Sequence, residues 1–450
     1  PPMRHSPGTM KLHLCLFLAC ASLLTAQDQP KDPFVKDRKA AGAASATSGS
    51  AISDKPAAAE APQNILCLVE TFTLPQADYA ALLDAPDGRD KLHANVLAAV
   101  TAGSAKLDGC HWITGKSGTR SSLECSDELI CPTEFDVADR AGLQYPTAFE
   151  MHPLGDRFEF EPTLEADAGA AGVTHSFNRD RFLGFRPYKA DTTLAGVPVM
   201  DIFEKEGTSS CRMVAGVPSL ISTLNDSQPG AITLVFATLQ VATLTAPAQP
   251  AKTSTGNLLL TERVISLNRM KGWELLKKHP TDGAACFAEL KPLLASKEAV
   301  LEHVFTICAQ SGTRARHQSG RLYTYGTVFW PPSEGPPAKT TSLASTSKFE
   351  RRSLGFSLEV EAVLGADHAF ADLVLAPEYV HTTGNLKDMN WNEHYPELPL
   401  ISCQKFTTGY TQVVGTTALI GTLNPPGDTG ANEHKDEGRI WLLFMDVNLE

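Results

Sequence analysis

Two acidic pairs and three histidine-bearing clusters are the residues whose types could do chemistry. Glu359 and Glu361 stand two apart, as do Glu159 and Glu161; Asp367-His368 precedes Asp372, and Glu393-His394 and Glu433-His434 each join a carboxylate to an imidazole. Carboxylate and imidazole together are the donor set of acid–base catalysis and of metal ligation. Their spacing points elsewhere. Residues two apart on a strand share one face, so each Glu-x-Glu pair reads as a solvated stripe. The two Glu-His pairs have no third ligand in view and fall in polar, loop-like segments. No H-E-x-x-H, G-x-S-x-G, Walker loop or G-x-G-x-x-G occurs, which removes the enzyme classes those motifs mark. The expectation is a protein that is not an enzyme, with no catalytic residue, no metal site and no cofactor.

Cysteine chemistry is the next possibility. Of the 10 cysteines, Cys110 and Cys125 flank the turn at Ser117-Gly118 symmetrically, seven residues (117 minus 110, 125 minus 118) from the nearer turn residue. If the flanking strands pair as a hairpin, the two sulfurs face each other, either as a disulfide or as two buried thiols. There is no C-x-x-C and no zinc-type grouping of Cys with His. Trp112, Trp330, Trp391 and Trp441 suit a membrane belt or glycan stacking by type, and core filling by frequency.

These residues sit in a chain of 450 residues, 42% hydrophobic and 20% charged, large enough for two ordinary folded domains. A net charge of -12 without a basic stripe argues against a nucleic-acid partner. Residues 1–9 read as an upstream extension before Met10. Leu12 to Ala26, LHLCLFLACASLLTA, has the length of a signal-peptide h-region and is too short to span a bilayer. Residues 1–26 are therefore expected to be a cleaved export signal with its extension, with Phe17-Leu-Ala-Cys20 as an alternative lipoprotein site. Residues 27–62, rich in Ala, Ser, Lys and Asp without an apolar face, read as a disordered linker.

Beyond the linker the sequence repeats itself. Asn64 to Leu74 is answered by Asn257 to Leu267 (257 minus 64 is 193), Ser117-Gly-Thr-Arg120 by Ser311-Gly-Thr-Arg314 (offset 194), and Leu154-Gly155 by Leu354-Gly355 (offset 200). Leu220-Ile-Ser-Thr-Leu-Asn225 is answered by Leu419-Ile-Gly-Thr-Leu-Asn424 (offset 199). Matches in one order with so little drift predict two tandem copies, 63–244 and 257–450, joined by a Pro- and Thr-rich linker at 245–256. Each is expected to be α+β. A strand (65–74) leads through Pro75-Gln-Ala-Asp78 to helices ending near Ala105; the second copy has 273–276 and 284–294 here. Strands 107–116 and 120–135, and again 301–309 and 314–330, meet at the Ser117-Gly118 and Ser311-Gly312 turns. Alternating strands follow, 356–363 and 369–375, and very apolar ones close each copy at 232–241 and 440–447.

The β-rich half of each copy resembles the C-terminal domain of secretins, the outer-membrane channel proteins of type II and type III secretion and of pilus export. An ordered series carries the resemblance: Leu354-Gly-Phe-Ser-Leu-Glu-Val-Glu-Ala-Val363, then Leu373-Val-Leu-Ala-Pro377, Pro399 to Thr408, the turn at Gly415, Ala418 to Leu423, and Trp441 to Val447. It covers about the last half of each copy. The Gly- and Pro-rich lip of secretins is replaced by polar segments at 225–231 and 424–439. What the resemblance implies is an exported, secretin-like protein of the periplasm or outer membrane, with a structural or assembly role in secretion and not a complete channel. Its partners would be envelope or secretion-machinery proteins, or copies of itself. A soluble periplasmic or surface binding module reusing the fold is the alternative.

Overall fold

The computed structural model describes residues 61–137, 144–187, 198–246, 256–330, 345–385, 398–426, 429, 431 and 438–450. The expected export signal and residues 27–60 of the leading linker lie outside these residues, as do residues 247–255 of the joining segment.

The first half runs β1 (Gln63–Pro75), α1 (Gln76–Asp84), α2 (Leu92–Ala102), β2 (Lys106–Gly115), β3 (Ser121–Val137), β4 (Gln144–Leu164), β5 (Ala170–Pro187), β6 (Pro198–Val214), β7 (Ser219–Asn225) and β8 (Ala231–Thr243). The second half runs β9 (Asn257–Asn268), α3 (Arg269–Lys278), α4 (Gly283–Ala295), β10 (Val300–Gln310), β11 (Arg314–Trp330), β12 (Ser345–Leu364), β13 (Phe370–Asn385), β14 (Pro399–Val413), β15 (Thr416–Thr422) and β16 (Arg439–Leu449). The succession is the same in both, and the structure is β-rich.

Local chemistry explains the helix ends. The Asn268 side chain accepts from the Met270 and Lys271 amides, Asp282 accepts from the Ala285 amide, and α2 stops at Gly103 in the left-handed region, φ 79°. The helices cover the outer face of one sheet. Leu276, Cys286 and Leu290 pack over Ile265, Leu442 and Phe444, while Leu92 and Val96 pack over Phe72, Leu234 and Phe236.

Strands of both halves share two eight-stranded sheets. The first has the order β10-β9-β16-β15-β2-β1-β8-β7 and the second β11-β12-β13-β14-β3-β4-β5-β6. Ile65, Val69, Phe160, Phe177, Leu358, Phe406 and Tyr410 fill the core between them, the interleaving of two inner faces expected of a sandwich. Residues 63–244 and 257–450 are thus two series of elements within shared sheets.

The Ser-Gly turns do not close hairpins. β2 and β10 lie in the first sheet, β3 and β11 in the second, so each turn is a corner between sheets. This corrects the expectation for Cys110 and Cys125. Both are free, buried thiols. Cys110 packs beneath the helices and Cys125 packs between the sheets, because the corner sends β2 and β3 into different layers.

Candidate functional site

Each turn residue does the same job in both halves. Gly118 and Gly312 have φ of 73° and 76°, and their amides donate to the Pro162 and Ala362 carbonyls at 2.7 and 2.8 Å. Ser117 and Ser311 accept from the Leu164 and Leu364 amides, each at 2.9 Å. The corners are therefore fixed to the ends of β4 and β12. Arg120 pairs with Glu159.

The other expected sites disperse. Asp367 accepts from the Ala369 amide within the turn before β13, where His368 takes φ 56°, while Asp372 turns to Lys116 at 2.7 Å and Thr411 at 2.6 Å. Glu359 faces Arg316 at 3.4 Å. Trp112 and Trp441 are core residues, and Trp330 is 67% exposed. Trp391, Glu393-His394 and Glu433-His434 lie outside the described residues. Among the described residues no three His, Cys, Asp or Glu side chains are grouped to hold a metal.

Two features absent from the sequence reading carry the structure's specific chemistry. One is the joint where the halves meet. β15 approaches β2 with Gly421 opposite Ile113; the Trp112 amide donates to the Thr422 hydroxyl at 3.1 Å, Thr114 donates to the Leu419 carbonyl at 2.9 Å, and the Asn424 amide donates to the Cys110 carbonyl at 2.6 Å. Asn424 also accepts from the Trp441 amide at 3.1 Å, so one side chain just past β15 ties β2 to β16. In the other sheet β14 pairs with β3 from Ile401–Glu128 to Thr407–Ser122, and Lys405 meets Glu124 at 3.1 Å. Arg352 donates to both oxygens of the buried Glu128.

The other feature is a buried charge cluster between the sheets of the first half. Arg179 grips Asp156 through Nε at 2.5 Å and Nη2 at 2.7 Å, a two-point guanidinium–carboxylate contact. Asn424 Nδ2 lies 3.2 Å from His111 Nδ1, which therefore accepts; His111 Nε2 then carries the hydrogen given to Asp156 at 3.2 Å. Burial by itself raises the Asp156 carboxyl, but the Arg179 guanidinium and His111 together hold it well below the usual carboxylate range. Beside it Lys205, 6% exposed, donates to Asp226 at 2.6 Å and to Thr233 at 3.3 Å. Burial opposes the Asp226 charge, yet the Lys205 ammonium and the Gln228 amide draw its pKa down to about 2. A cleft of about 180 Å³ opens beside the cluster, lined by Lys106, Asp108 and Arg181 together with Asp156, Arg179, Lys205 and Asp226.

The corresponding place in the second half is aromatic. Asp156 follows Gly155 and opposes Arg179; Phe356 follows Gly355 and opposes Tyr379. Phe356 stacks on Tyr379 and on His303, each at 4.1 Å between ring centres, and Tyr379 continues to Trp441 at 5.0 Å. One half thus closes the gap between the sheets with ion pairs and the other with rings.

Comparison with known proteins returns secretins among solved structures. The InvG secretin-domain β-barrel of the Salmonella SPI-1 injectisome aligns at 8% identity and a TM-score of 0.25, over 61% of this chain and 88% of that one. The V. cholerae type IV competence pilus secretin PilQ aligns at 9% identity and a TM-score of 0.22, over 87% of this chain and 61% of that one. No family model matches the chain, and no curated protein matches it. Among the described residues no helix is long and apolar enough to cross a membrane.

Proposed function

We propose that this chain is a secretin-like cell-envelope protein with a structural or assembly role in protein secretion, built from two tandem copies of one unit and not itself a complete channel. The observation that carries the reading is the way the halves are joined. Each sheet runs from one half into the other, β15 meeting β2 and β14 meeting β3; β10 and β7 end the first sheet and β6 one side of the second with one side unpaired, while β11 also pairs with β4 at Val328–Ala148. An unpaired strand edge is a template for another strand. A protein of this design extends sheets, and an apolar export segment at 12–26 would place it in the envelope, among envelope or secretion-machinery proteins.

Membrane fractionation, detergent extraction and native mass measurement test this reading. The expected result is a multisubunit particle in the envelope fraction. Recovery as a periplasmic or surface monomer that captures a partner's extended strand would replace it with the binding-module reading, and a cytoplasmic monomer would remove both.

A further inference from the structure

We propose that the cleft beside the charge cluster of the first half is a binding site for hydrogen phosphate. The site lies between the sheets of one half and stands or falls apart from the assembly reading.

The cations of the cleft keep donors that their carboxylate partners do not use. Arg179 meets Asp156 side-on, through Nε and Nη2, and Nη2 also donates to the Thr71 hydroxyl at 3.0 Å. That geometry turns Nη1 away from Asp156, and among the described residues its two hydrogens meet no acceptor. Lys205 spends two of its three ammonium hydrogens, on Asp226 and Thr233. Arg179 and Lys205 stand directly opposite each other on β5 and β6, a pairing of like charges that a strand ladder resists. An anion bridging them would relieve it. Arg181 follows on the same face of β5, and Lys106 stands at the mouth with its side chain 64% exposed, so four cations and three carboxylates line the space.

Two of those carboxylates are committed inward. Asp156 takes both Arg179 contacts and the His111 hydrogen, and Asp226 takes Lys205, the Ser227 hydroxyl at 3.2 Å and the Gln228 amide at 3.1 Å. What faces a guest is therefore rich in charged donors. The exception is Asp108 at the mouth: Oδ1 lies 3.2 Å from Lys106 Nζ, and among the described residues Oδ2 takes no hydrogen bond. A carboxylate in that place repels a bare anion and accepts from a protonated one. Hydrogen phosphate carries a P–OH at neutral pH and sulfate carries none, so Asp108 selects between two anions of the same shape. A cleft of about 180 Å³ has room for one such tetrahedral ion with water around it.

The second half shows that the scaffold does not need these charges. Arg179 opposes Asp156 on one side and Lys205 on the other; in the same register Tyr379 opposes Phe356 and Gln404. Rings and a neutral amide thus stand where the first half keeps two cations and a carboxylate. Buried ion pairs seldom stabilise more than a well-packed apolar replacement, so charges kept beside an open cleft point to a ligand.

The test is isothermal titration calorimetry of the full chain with sodium phosphate, sodium sulfate and glycerol 3-phosphate at constant ionic strength, in buffer free of other oxyanions. Phosphate is expected to saturate at one ion per chain, with sulfate about tenfold weaker or more, the loss of one hydrogen bond to a charged group. Asp108→Asn, whose amide can donate to either anion, is expected to bring sulfate level with phosphate. Lys106→Gln is expected to weaken phosphate about tenfold. Asp156→Phe with Arg179→Tyr is expected to abolish binding while circular dichroism stays that of the parent. Lys106 and Asp108 belong to the mouth of the cleft, so the test does not depend on the double variant folding. No saturable phosphate binding, equal binding of phosphate and sulfate by the parent, or binding that survives in a folded double variant would overturn the site and leave the assembly reading untouched. Tighter binding of glycerol 3-phosphate than of phosphate would overturn the free ion in favour of an ester.

Discussion

Asp156 and Phe356 hold equivalent places in the two series of elements, each following a glycine at φ 124° or 126° and each opposing the residue, Arg179 or Tyr379, that completes its contact across the next strand. A buried ion pair and a ring stack are thus interchangeable solutions for one gap between sheets. The exchange is informative because buried ion pairs seldom stabilise more than a well-packed apolar replacement. The scaffold itself shows that the apolar replacement fits.

Breaking the pair should differ sharply from replacing it. Arg179→Ala leaves the Asp156 carboxylate buried, with His111 as its remaining partner, and is expected to cost about 3–5 kcal/mol in urea unfolding at neutral pH. Asp156→Phe with Arg179→Tyr copies the second half and is expected to stay within about 1.5 kcal/mol of the parent. Equal losses in both would show that the surrounding strands, and not the pair, set the requirement.

The same cluster makes the fold acid-sensitive. Asp156 and Asp226 both titrate below their ordinary value of 3.8 in the folded chain, Asp226 at about 2. A depressed folded pKa contributes stability above the unfolded value that is lost as pH falls through the folded one. The unfolding midpoint in urea should therefore drop steeply from about pH 4 to pH 2. The Asp156→Phe, Arg179→Tyr variant should show a shallower drop over the same range.

Glu262 acts in the opposite sense. It points into the core between the sheets, 2% exposed, with Oε1 lacking a hydrogen-bond partner, and burial lifts its pKa from 4.5 to about 8. An acid whose folded pKa is raised favours the folded state while protonated, so stability is greatest below the unfolded value and declines as pH rises from 4.5 to about 8. The slope approaches at most about 1.4 kcal/mol per pH unit. Glu262→Gln should flatten it and raise stability at pH 8; a variant as pH-dependent as the parent would place the slope elsewhere.

The strands and helices were legible because their signals are local. The start at Pro75-Gln-Ala-Asp78 and the stretch 284–294 fall on α1 and α4, and the alternation along 356–363 falls on β12. What the chain does at the Ser-Gly turns was not legible: a glycine at φ 73° serves a hairpin and a corner equally, so Cys110 and Cys125 looked like facing partners. The charge cluster was hidden for a different reason. His111, Asp156, Arg179 and Lys205 come from four strands far apart in sequence, and each alone resembles a solvated strand residue. The Leu-Ile-x-Thr-Leu-Asn motif was visible as a repeat, but only the topology shows that one copy is spent inside the joint while the other faces outward.

The Leu-Gly step is a backbone requirement in both halves. Gly155 and Gly355 take φ of 124° and 126°, and a Cβ there would lie 2.3 Å from the Cys125 carbonyl oxygen and 2.2 Å from that of Ser319. Neither backbone can withdraw without breaking its ladder. Gly155→Ala and Gly355→Ala are each expected to lose roughly 2 kcal/mol or more in chemical unfolding, from strain and overpacking together. A neutral result at either site would mean that the strand pair can open there.

Thiol labelling separates the buried cysteines from the edge. Among the described residues Cys308 is the exposed cysteine, Cys211 is partly covered, and Cys67, Cys110, Cys125, Cys131, Cys286 and Cys403 are buried. Reaction needs access and the thiolate, and burial pushes the Cys131 and Cys286 thiols up to about 12. In the native chain Cys308 should label first, with Cys211 slower and the buried thiols reacting only on unfolding. Cys110 and Cys125 should then both label without reductant, since no bridge joins them; a pair that labels only after reduction would restore the disulfide. Cys308 lies beside Ile307 on the β10 edge, so its labelling should also slow as protein concentration rises, and a rate independent of concentration would leave that edge uncovered.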